Sequence, residues 1–321
     1  MKKILITGAG GFIGSFLVEE GLKADWEVWA GVRKTTNREF LQDSRIHFID
    51  LHFSHKSSLV KQLAEHVRIY GKWDYIIHNL GVTKSLNPKN FDTINFEYVC
   101  NFVKALQDVD AIPEKFVLMS SLSADVPEKE QTYYGRSKLN AEAFLSQQQN
   151  FPSLIFRPTG VYGPREKDYL LMLKTIKTGF DVAAGCQTQY LSFIYVRDLV
   201  NLIYTALLSP INKGTYAVSD GRVYTNEEYT KLAKEAMNKK RVLKIRIPLP
   251  IVKLVSVLAE DISRITQKPS TLNRDKYRIM KRRDWSCDIS PIREKFAFDP
   301  QYDLKRGLEE SVAWYQENGW L

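Results

Sequence analysis

The sequence predicts an α/β fold, namely a doubly wound parallel sheet with a smaller C-terminal α/β lobe. Three observations carry this prediction: short apolar runs alternate with helical patterns, a glycine-rich turn follows the first run, and the alternation loosens after Pro164. The length of 321 residues suits about two domains, and a hydrophobic content of 44% is ample for a large core.

The first strand and helix are joined by a glycine-rich turn. The apolar run Ile4–Ile6 leads into Thr7-Gly8-Ala9-Gly10-Gly11-Phe12-Ile13-Gly14, and a helical pattern follows. The spacing fits G-x-x-G-x-x-G on Gly8, Gly11 and Gly14, since a G-x-G-x-x-G pattern starting at Gly8 would need glycine at Ile13. Glycines allow a tight turn and a close approach to a pyrophosphate, which the helix N-terminus also favours. The turn therefore predicts a dinucleotide site, with a plain tight turn as the alternative.

Further apolar runs predict the rest of the sheet. The predicted strands are Ile4–Ile6, Glu27–Ala30, His47–Ile49, Tyr75–Ile77, Phe116–Met119 and Leu154–Phe156. Helical patterns such as Asn90–Leu106 and Tyr134–Gln147 lie between most of them. This alternation specifies a parallel sheet with helices on both faces, and ligands then bind beyond the carboxyl ends of the strands.

The second half predicts a smaller lobe that is interleaved with the sheet. Its predicted elements are helix Tyr169–Lys177, strand Leu191–Ile194, helix Arg197–Leu208, strand Thr215–Val218, helix Asn226–Met237, strand Val242–Ile247 and helix Leu304–Tyr315. We predict a dinucleotide-binding domain over residues 1–164 with a return segment near 191–218, and a substrate-binding lobe over residues 165–321.

Composition limits the expected partners. The net charge is +9, and its densest cluster, Lys276–Arg283, is flanked by Asp275 and Asp284, which indicates solvated surface or an anion-binding cleft rather than a nucleic-acid site. No run of 18 apolar residues predicts a membrane span; Leu249–Ala259 is interrupted by polar residues and predicts an amphipathic helix. Three scattered cysteines favour a cytoplasmic location, and the histidines show no metal-ligand spacing, so we expect no metal.

A tyrosine and a lysine with the spacing of one helical turn predict chemistry. Tyr134 and Lys138 lie at i and i+4 on one helix face, and the strand Phe116–Met119 ends in Ser120-Ser121-Leu122-Ser123. Free tyrosine has a pKa of about 10, and an ammonium group about 4 Å away can lower it by about three units. Tyr134 is then able to exchange a proton with an alcohol or carbonyl oxygen while a hydride moves to or from a nicotinamide. A solvated surface pair is the alternative.

Together these motifs resemble the extended short-chain dehydrogenase/reductase superfamily, also called the NAD-dependent epimerase/dehydratase family. The resemblance covers essentially the whole chain, and dihydroflavonol-reductase-like and 3β-hydroxysteroid-dehydrogenase-like members are the most similar. It implies a Rossmann fold. The matching motifs are the glycine loop, Asp50-Leu51, Ile77–Gly81, Asn95, Ser120-Ser121, Tyr134 with Lys138, Arg157–Pro164 and Phe193–Asp198.

The resemblance implies roles for individual residues. Tyr134 would be the acid/base, Lys138 would bind the nicotinamide ribose and lower the tyrosine pKa, and Ser121 would orient the substrate oxygen, with Ser123 as the fallback. The implied cofactor-binding residues are Gly8, Gly11, Phe12, Ile13 and Gly14 of the loop, Asp50 and Leu51 at the adenine, Leu80 and Gly81 at the pyrophosphate and ribose, and Pro158 and Val161 at the nicotinamide.

One departure from the pattern concerns the cofactor. An NAD-preferring site normally carries a carboxylate at the end of the second strand, where this chain reads Ala30-Gly31-Val32-Arg33-Lys34. Arg33 and Lys34 are suited to a 2′-phosphate. We therefore expect NADP as the favoured cofactor, with NAD as the alternative.

Other departures concern the reaction. Leu122-Ser123 replaces the Asp-Glu pair of the family's dehydratases, which disfavours 4,6-dehydration, and Thr159 stands where sugar-nucleotide epimerases often place an asparagine. The leading hypothesis is an NAD(P)-dependent oxidoreductase acting on a secondary alcohol or ketone. The alternatives are a nucleotide-sugar epimerase with tightly held NAD and a cofactor-sensing regulator. The expected partners are a small-molecule substrate and, as an open alternative, a second copy in a homodimer.

Overall fold

The strands begin and end close to the predicted apolar runs. The computed structural model describes residues 1–266 and 272–321. Its strands are β1 (Lys3–Thr7), β2 (Glu27–Gly31), β3 (His47–Ile49), β4 (Tyr75–His78), β5 (Lys115–Met119), β6 (Ser153–Pro158), β7 (Gly160–Tyr162), β8 (Phe180–Ala184), β9 (Tyr190–Leu191), β10 (Phe193–Tyr195), β11 (Lys213–Val218), β12 (Tyr224–Thr225), β13 (Leu243–Ile247) and β14 (Asp284–Trp285).

The helices complete the alternation. They are α1 (Phe12–Lys23), α2 (Lys56–Tyr70), α3 (Lys89–Asp92), α4 (Tyr98–Asp108), α5 (Tyr133–Ser146), α6 (Asp168–Lys177), α7 (Val196–Leu208), α8 (Asn226–Ala236), α9 (Leu249–Thr266), α10 (Arg274–Lys281), α11 (Ser290–Phe296) and α12 (Leu304–Glu317). Short helical turns of other types lie at Thr93–Glu97, Leu122–Asp125 and Glu128–Glu130.

The main sheet has seven strands in the order β11-β6-β5-β4-β1-β2-β3. Neighbours from β6 through β3 pair in parallel, and β1 pairs with both β2 and β4. The chain therefore reverses its direction of winding at β1, and the glycine turn follows β1 at this switch point. The predicted doubly wound α/β fold is confirmed.

The chain divides into two compact units. The first contains Met1–Asp125, Tyr133–Arg157 and Val200–Tyr216, and the second contains Val126–Thr132, Pro158–Leu199 and Ala217–Leu321. In the first unit, Leu5, Ile76 and Phe116 of the sheet pack in one buried cluster with residues of α2, α4 and α5. On the opposite face, α7 is tied to α1 because the Tyr204 hydroxyl donates to the carbonyl of Leu17 (2.7 Å).

The predicted single helix Asn90–Leu106 is interrupted. A π-helical turn at Thr93–Glu97 separates α3 from α4. Asn95 lies in this turn, is 1% exposed, and bonds through its side chain to both backbone groups of Val82. Since wider turns of this kind often occur at functional sites, the interruption is a feature of interest rather than a defect.

The second unit has smaller sheets and an aromatic core. β7 pairs in parallel with β10, β8 with β13, and β9 lies between β12 and β14. Buried side chains of α6, α8 and α12 pack around Tyr162 and Phe193. The sequence prediction did not include β7 and β8. Strand β7 has only three residues, and β8 carries a buried Asp181 between two exposed apolar residues, so neither forms a buried apolar run. Across the described ranges, no helix has the length and apolarity to cross a bilayer.

Candidate active site

The glycine loop starts the candidate site. Gly8 has a φ of +66°, a left-handed conformation that favours glycine, and a Cβ at Gly14 would overlap the carbonyl oxygen of Gly8. The Gly11 N–H donates to the Gly8 carbonyl (3.0 Å), and α1 starts immediately afterwards without a side-chain cap. The exposed Gly11 therefore leaves a helix N-terminus bare of side chains, which fits an anionic pyrophosphate.

Close approach of two further segments shapes the region beside the loop. A Cβ at Gly8 would lie 3.0 Å from the Cα of Leu80, and the N–H of Leu80 donates to the Thr7 hydroxyl (3.2 Å). A Cβ at Gly81 would lie 3.1 Å from the Lys138 Nζ. Gly8, Leu80, Gly81 and Lys138 are thus neighbours, as a common cofactor-binding region requires.

The predicted catalytic hydroxyls are in contact. Tyr134 lies in the first turn of α5 and Ser121 two residues after the end of β5, and their hydroxyls are hydrogen-bonded. The ring of Phe91 packs edge-on against Tyr134 with 6.4 Å between centroids. The backbone N–H of Ser123 donates to the Ser121 Oγ (3.1 Å). The assignment of Ser121 as the orienting residue, with Ser123 as the fallback, stays a prediction.

The pKa of Tyr134 differs from the prediction. Burial raises the pKa of its phenol above the usual 10, and the hydrogen bond with Ser121 lowers it by less. The ammonium of Lys138 donates instead to the carbonyl of Met119 (2.8 Å). The expected lowering by Lys138 is therefore not found in this arrangement, and the phenol is protonated at neutral pH.

Lys138 is itself an unusual lysine. Its side chain is 4% exposed, and burial lowers its pKa to about 8 while the charge of Glu142 opposes this shift. Desolvation favours the neutral amine, so the group is poised between its two protonation states near physiological pH.

A buried ion-pair network lies one helical turn further along α5. Glu142, which is 5% exposed, accepts three hydrogen bonds from the Arg157 guanidinium, including 2.7 Å from Nη2 to Oε2. The Ser120 hydroxyl also donates to Glu142, and Arg157 reaches the exposed Asp125 at 2.6 Å. Sequence reasoning missed Glu142, although its position four residues after Lys138 on the Tyr134 face was visible.

Asn95 links the loop after β4 to α5. Its Nδ2 donates to the Val82 carbonyl and to the Ser137 Oγ, both at 3.0 Å, and its Oδ1 accepts from the Val82 N–H (2.8 Å). Ser137 in turn donates to the Tyr134 carbonyl (2.8 Å). These bonds fix the start of α5, which carries Tyr134, to the segment that carries Gly81.

His78 is part of the buried core at the end of β4. It is fully buried, its Nδ1 lies 3.1 Å from the Thr7 hydroxyl, and burial together with Lys138 lowers its pKa to about 3. The imidazole is therefore neutral at physiological pH. Its ring packs against three phenylalanines of the core.

The end of β2 places two exposed cations in one loop. Arg33 and Lys34 are both exposed, and the Lys34 backbone N–H donates to the Asp50 carboxylate (3.2 Å). Asp50 therefore holds this loop, while the Leu51 side chain is 6% exposed and packs in the core cluster. The predicted contact of Asp50 and Leu51 with adenine stays a prediction.

Four further residues were predicted to bind the cofactor. Phe12 and Ile13 begin α1 and are half-buried. Pro158 and Val161 belong to the second unit, where Val161 pairs with Ile194. Their predicted contact with nicotinamide stays a prediction.

Comparisons with known proteins identify the family. Residues 4–219 match the model of the NAD dependent epimerase/dehydratase family. The chain is 26% identical to a ceramide reductase of Caulobacter vibrioides over 320 residues, covering 99% of this chain and 96% of that protein. It is 24% identical to a UDP-glucose 4-epimerase of Vibrio cholerae over 343 residues, covering 99% and 97%.

A solved structure supports the same assignment at the level of the fold. The enzyme WbmG of Bordetella bronchiseptica, in complex with NAD and UDP, superposes with a TM-score of 0.76 at 19% identity, covering 99% of this chain and 96% of that chain. The family model spans well over half of the chain and includes the glycine loop, Ser121, Tyr134 and Lys138. The chain therefore belongs to the NAD dependent epimerase/dehydratase family and is an enzyme of that family.

Proposed function

We propose that this enzyme transfers a hydride between a nicotinamide cofactor and a secondary alcohol or ketone, with Tyr134 as the acid/base. The observation that carries this proposal is the Ser121–Tyr134 hydrogen bond beside the buried Lys138. The similarity to a ceramide reductase over 99% of the chain supports a reductase. When bound, the nicotinamide supplies or accepts the hydride.

Tyr134 is in the correct protonation state to assist reduction. Since burial raises its pKa, the phenol carries its proton at neutral pH and can donate it to a carbonyl oxygen as that oxygen gains charge. Ser121 orients the same oxygen by a second hydrogen bond. In the oxidative direction, the proton returns from the alcohol oxygen to the phenolate.

Lys138 has two functions in this proposal. Gly81 leaves space beside its ammonium, where the hydroxyls of a nicotinamide ribose would bind. The second proposed function, stabilising a phenolate at Tyr134 once the proton has moved, requires the ammonium to turn from the Met119 carbonyl towards the phenol. The glycine loop would hold the pyrophosphate by backbone N–H groups at the start of α1.

We further propose that the cofactor is NADP. The loop after β2 presents Arg33 and Lys34 to solvent and has no carboxylate before Glu39. In titration calorimetry we expect NADPH to bind more tightly than NADH. Arg33→Ala should remove most of the difference, because a hydrogen bond to a charged group contributes about 1.5–3 kcal/mol.

The control for Arg33 is another exposed arginine of the first unit. Arg45 is paired with Asp43 (2.8 Å), and Arg45→Ala should leave the NADPH preference unchanged. Equal affinities of the wild type for NADPH and NADH would overturn the NADP assignment without affecting the proposed reaction.

The roles of the two lobes are also part of the proposal. Residues 1–164, with the return segment near 191–218, bind the dinucleotide, and the lobe over residues 165–321 selects the substrate. We place the enzyme in the cytoplasm on the basis of its scattered cysteines, and we propose a homodimer, which sedimentation velocity would test.

A nucleotide-sugar epimerase is the second candidate. The similarity to a UDP-glucose 4-epimerase over 99% of this chain favours it. Against it, the Thr159 hydroxyl, at the position where epimerases often carry asparagine, donates to the Val218 carbonyl (3.1 Å). Dehydration is disfavoured further, because Leu122, at the position of the dehydratase carboxylate, is buried. Mass spectrometry of the purified protein distinguishes the two, since an epimerase retains its NAD.

Tyr134→Phe tests the reaction. The change removes only the phenolic oxygen, so the variant should bind the cofactor normally and lose about 10²-fold or more in turnover of ketones with NADPH. Tyr133→Phe is the matched control, because Tyr133 precedes Tyr134 in α5 and is 48% exposed. Normal turnover by Tyr134→Phe would show that the acid/base assignment is wrong.

A further inference from the structure

Helix α9 directs its large aliphatic side chains away from the protein. Its exposed aliphatic residues are 45–83% exposed and are Ile251, Leu254, Val255, Leu258, Ile262 and Ile265. The residues that it buries are Val252, Ser256 and Ser263. A helix on a protein core normally shows the opposite arrangement, so the apolar face of α9 lacks a covering partner within the described part of the chain.

The exposed residues form one continuous stripe. Relative to Ile251 they lie at i, i+3, i+4, i+7, i+11 and i+14, so they share one face of the helix over a length of about 21 Å. Lys253 and Glu260 lie outside this stripe, and Asp261 lies at its border. The stripe is thus both apolar and uncharged.

The strand that leads into α9 adds to the apolar surface of this region. Leu243 at the start of β13 is 62% exposed and pairs with Phe180 of β8, which is 43% exposed. Val182 on the same face of β8 is 46% exposed. Exposed apolar residues are therefore concentrated in β8, β13 and α9.

The positive charge of the protein is concentrated in the same segment. Residues 241–283 contain twelve Lys and Arg but three Asp and Glu, whereas the rest of the chain contains 34 of each sign. The whole net charge of +9 thus lies in these residues. Lys253, Lys281 and Arg283 are exposed among them. An apolar helical stripe within a cationic segment is typical of binding to an anionic membrane surface.

We propose that α9 binds in the plane of an anionic lipid bilayer. Its apolar stripe inserts at the boundary between headgroups and acyl chains, and the exposed cations Lys253, Lys281 and Arg283 contact the anionic headgroups. A second copy of the chain is the less suitable occupant, because it would bring two segments of the same positive charge together. This surface contains none of the proposed catalytic residues, so the proposal does not depend on the reaction.

Vesicle co-sedimentation of the full-length protein tests this proposal. The wild type should bind vesicles of equal phosphatidylcholine and phosphatidylglycerol and should bind phosphatidylcholine alone much more weakly. Raising the salt concentration from 0.1 to 0.5 M should weaken binding to the mixed vesicles, because salt screens the headgroup attraction. Failure of the wild type to bind the mixed vesicles would overturn the proposal.

Leu258→Asp and Leu208→Asp form a matched pair of variants. Leu258 is 52% exposed in the stripe, and Leu208 is 67% exposed at the end of α7. Leu258→Asp should reduce vesicle binding at least about tenfold, since it removes one buried aliphatic anchor and adds an anion, while Leu208→Asp should have little effect. Ile251→Asp, at the N-terminal end of the stripe, should reduce vesicle binding in the same way. Circular dichroism verifies that each variant is folded.

Two further outcomes would overturn the proposal. Equal vesicle binding by Leu258→Asp and the wild type would show that α9 is not the anchor. A wild-type dimer that Leu258→Asp converts to monomer in sedimentation velocity, without vesicle binding, would show that the stripe contacts a second copy of the chain.

Discussion

Helices α5 and α9 both place polar side chains on their buried faces, but they differ in what compensates for this. In α5, the buried Ser137, Lys138 and Glu142 are bonded to Tyr134 and Asn95, to Met119, and to Arg157 with Ser120, respectively. In α9, the buried Ser256 donates to the Val252 carbonyl of its own helix (2.7 Å), while the aliphatic residues face outward.

Buried polar side chains and exposed aliphatic side chains both need a partner. Where that partner lies, inside the protein or outside it, indicates the function of the helix. Buried polar groups are costly unless they are hydrogen-bonded, and α5 satisfies them within the first unit. Exposing apolar side chains to water costs free energy, and none of the described residues covers those of α9. The buried polar residues of α5 therefore indicate chemistry inside the protein, and the exposed aliphatic residues of α9 indicate a binding surface on its outside.

Removal of the internal partner of Arg157 should have the largest effect on stability. Glu142→Ala leaves the Arg157 guanidinium, whose side chain is 18% exposed, without its buried partner. We expect a loss of about 3–5 kcal/mol in the free energy of unfolding, measured by urea denaturation. Asp125→Ala is the control, because this carboxylate is 58% exposed and should contribute at most about 1 kcal/mol. Similar losses for both variants would refute the internal compensation of α5.

The next effect is a pH dependence of stability that originates from Lys138. Burial lowers its pKa to about 8 in the folded protein, against 10.5 ordinarily, so the unfolded state binds more protons between these values. Its contribution to stability should therefore rise with pH above about 8, by at most about 1.4 kcal/mol per pH unit.

Lys138→Met isolates this contribution. The difference in unfolding free energy between the wild type and Lys138→Met should change with pH from 8 to 9.5, because the other titrating groups are common to both. A difference that is constant over this range would show that the amine keeps its ordinary pKa.

Two opposite substitutions test α9, where a more apolar residue at a buried position should lower stability and a more polar residue at an exposed position should leave it nearly unchanged. Ser256 is fully buried, so Ser256→Leu overpacks its site and should cost about 1–3 kcal/mol although it makes the helix more apolar. Leu258→Asp, at an exposed position, should change the unfolding free energy by less than about 0.5 kcal/mol in the absence of lipid. Thermal melts of both variants would test this, and a larger loss for Leu258→Asp would show that the stripe packs against protein.

The local patterns of the first unit predicted most of its elements. The runs at Ile4–Ile6 and Phe116–Met119 became β1 and β5 with additional residues at one or both ends, because apolar periodicity reports burial directly. The helix over Asn90–Leu106 was wrong in one respect, since its π-helical turn depends on bonds between Asn95 and Val82. Such bonds join distant parts of the chain and leave no periodic signal.

Spacing within short segments was enough to predict the family, the parallel sheet, the glycine loop and the placement of Tyr134 and Lys138 on one helix face. Packing between distant segments was needed to show that the Lys138 ammonium contacts Met119, that Glu142 is buried against Arg157, and that the apolar face of α9 points outward. Helical periodicity shows that a helix has one apolar face but not what covers it. Burial and desolvation depend on the packing of the whole chain, and these decided the protonation of Tyr134 and the exposure of α9.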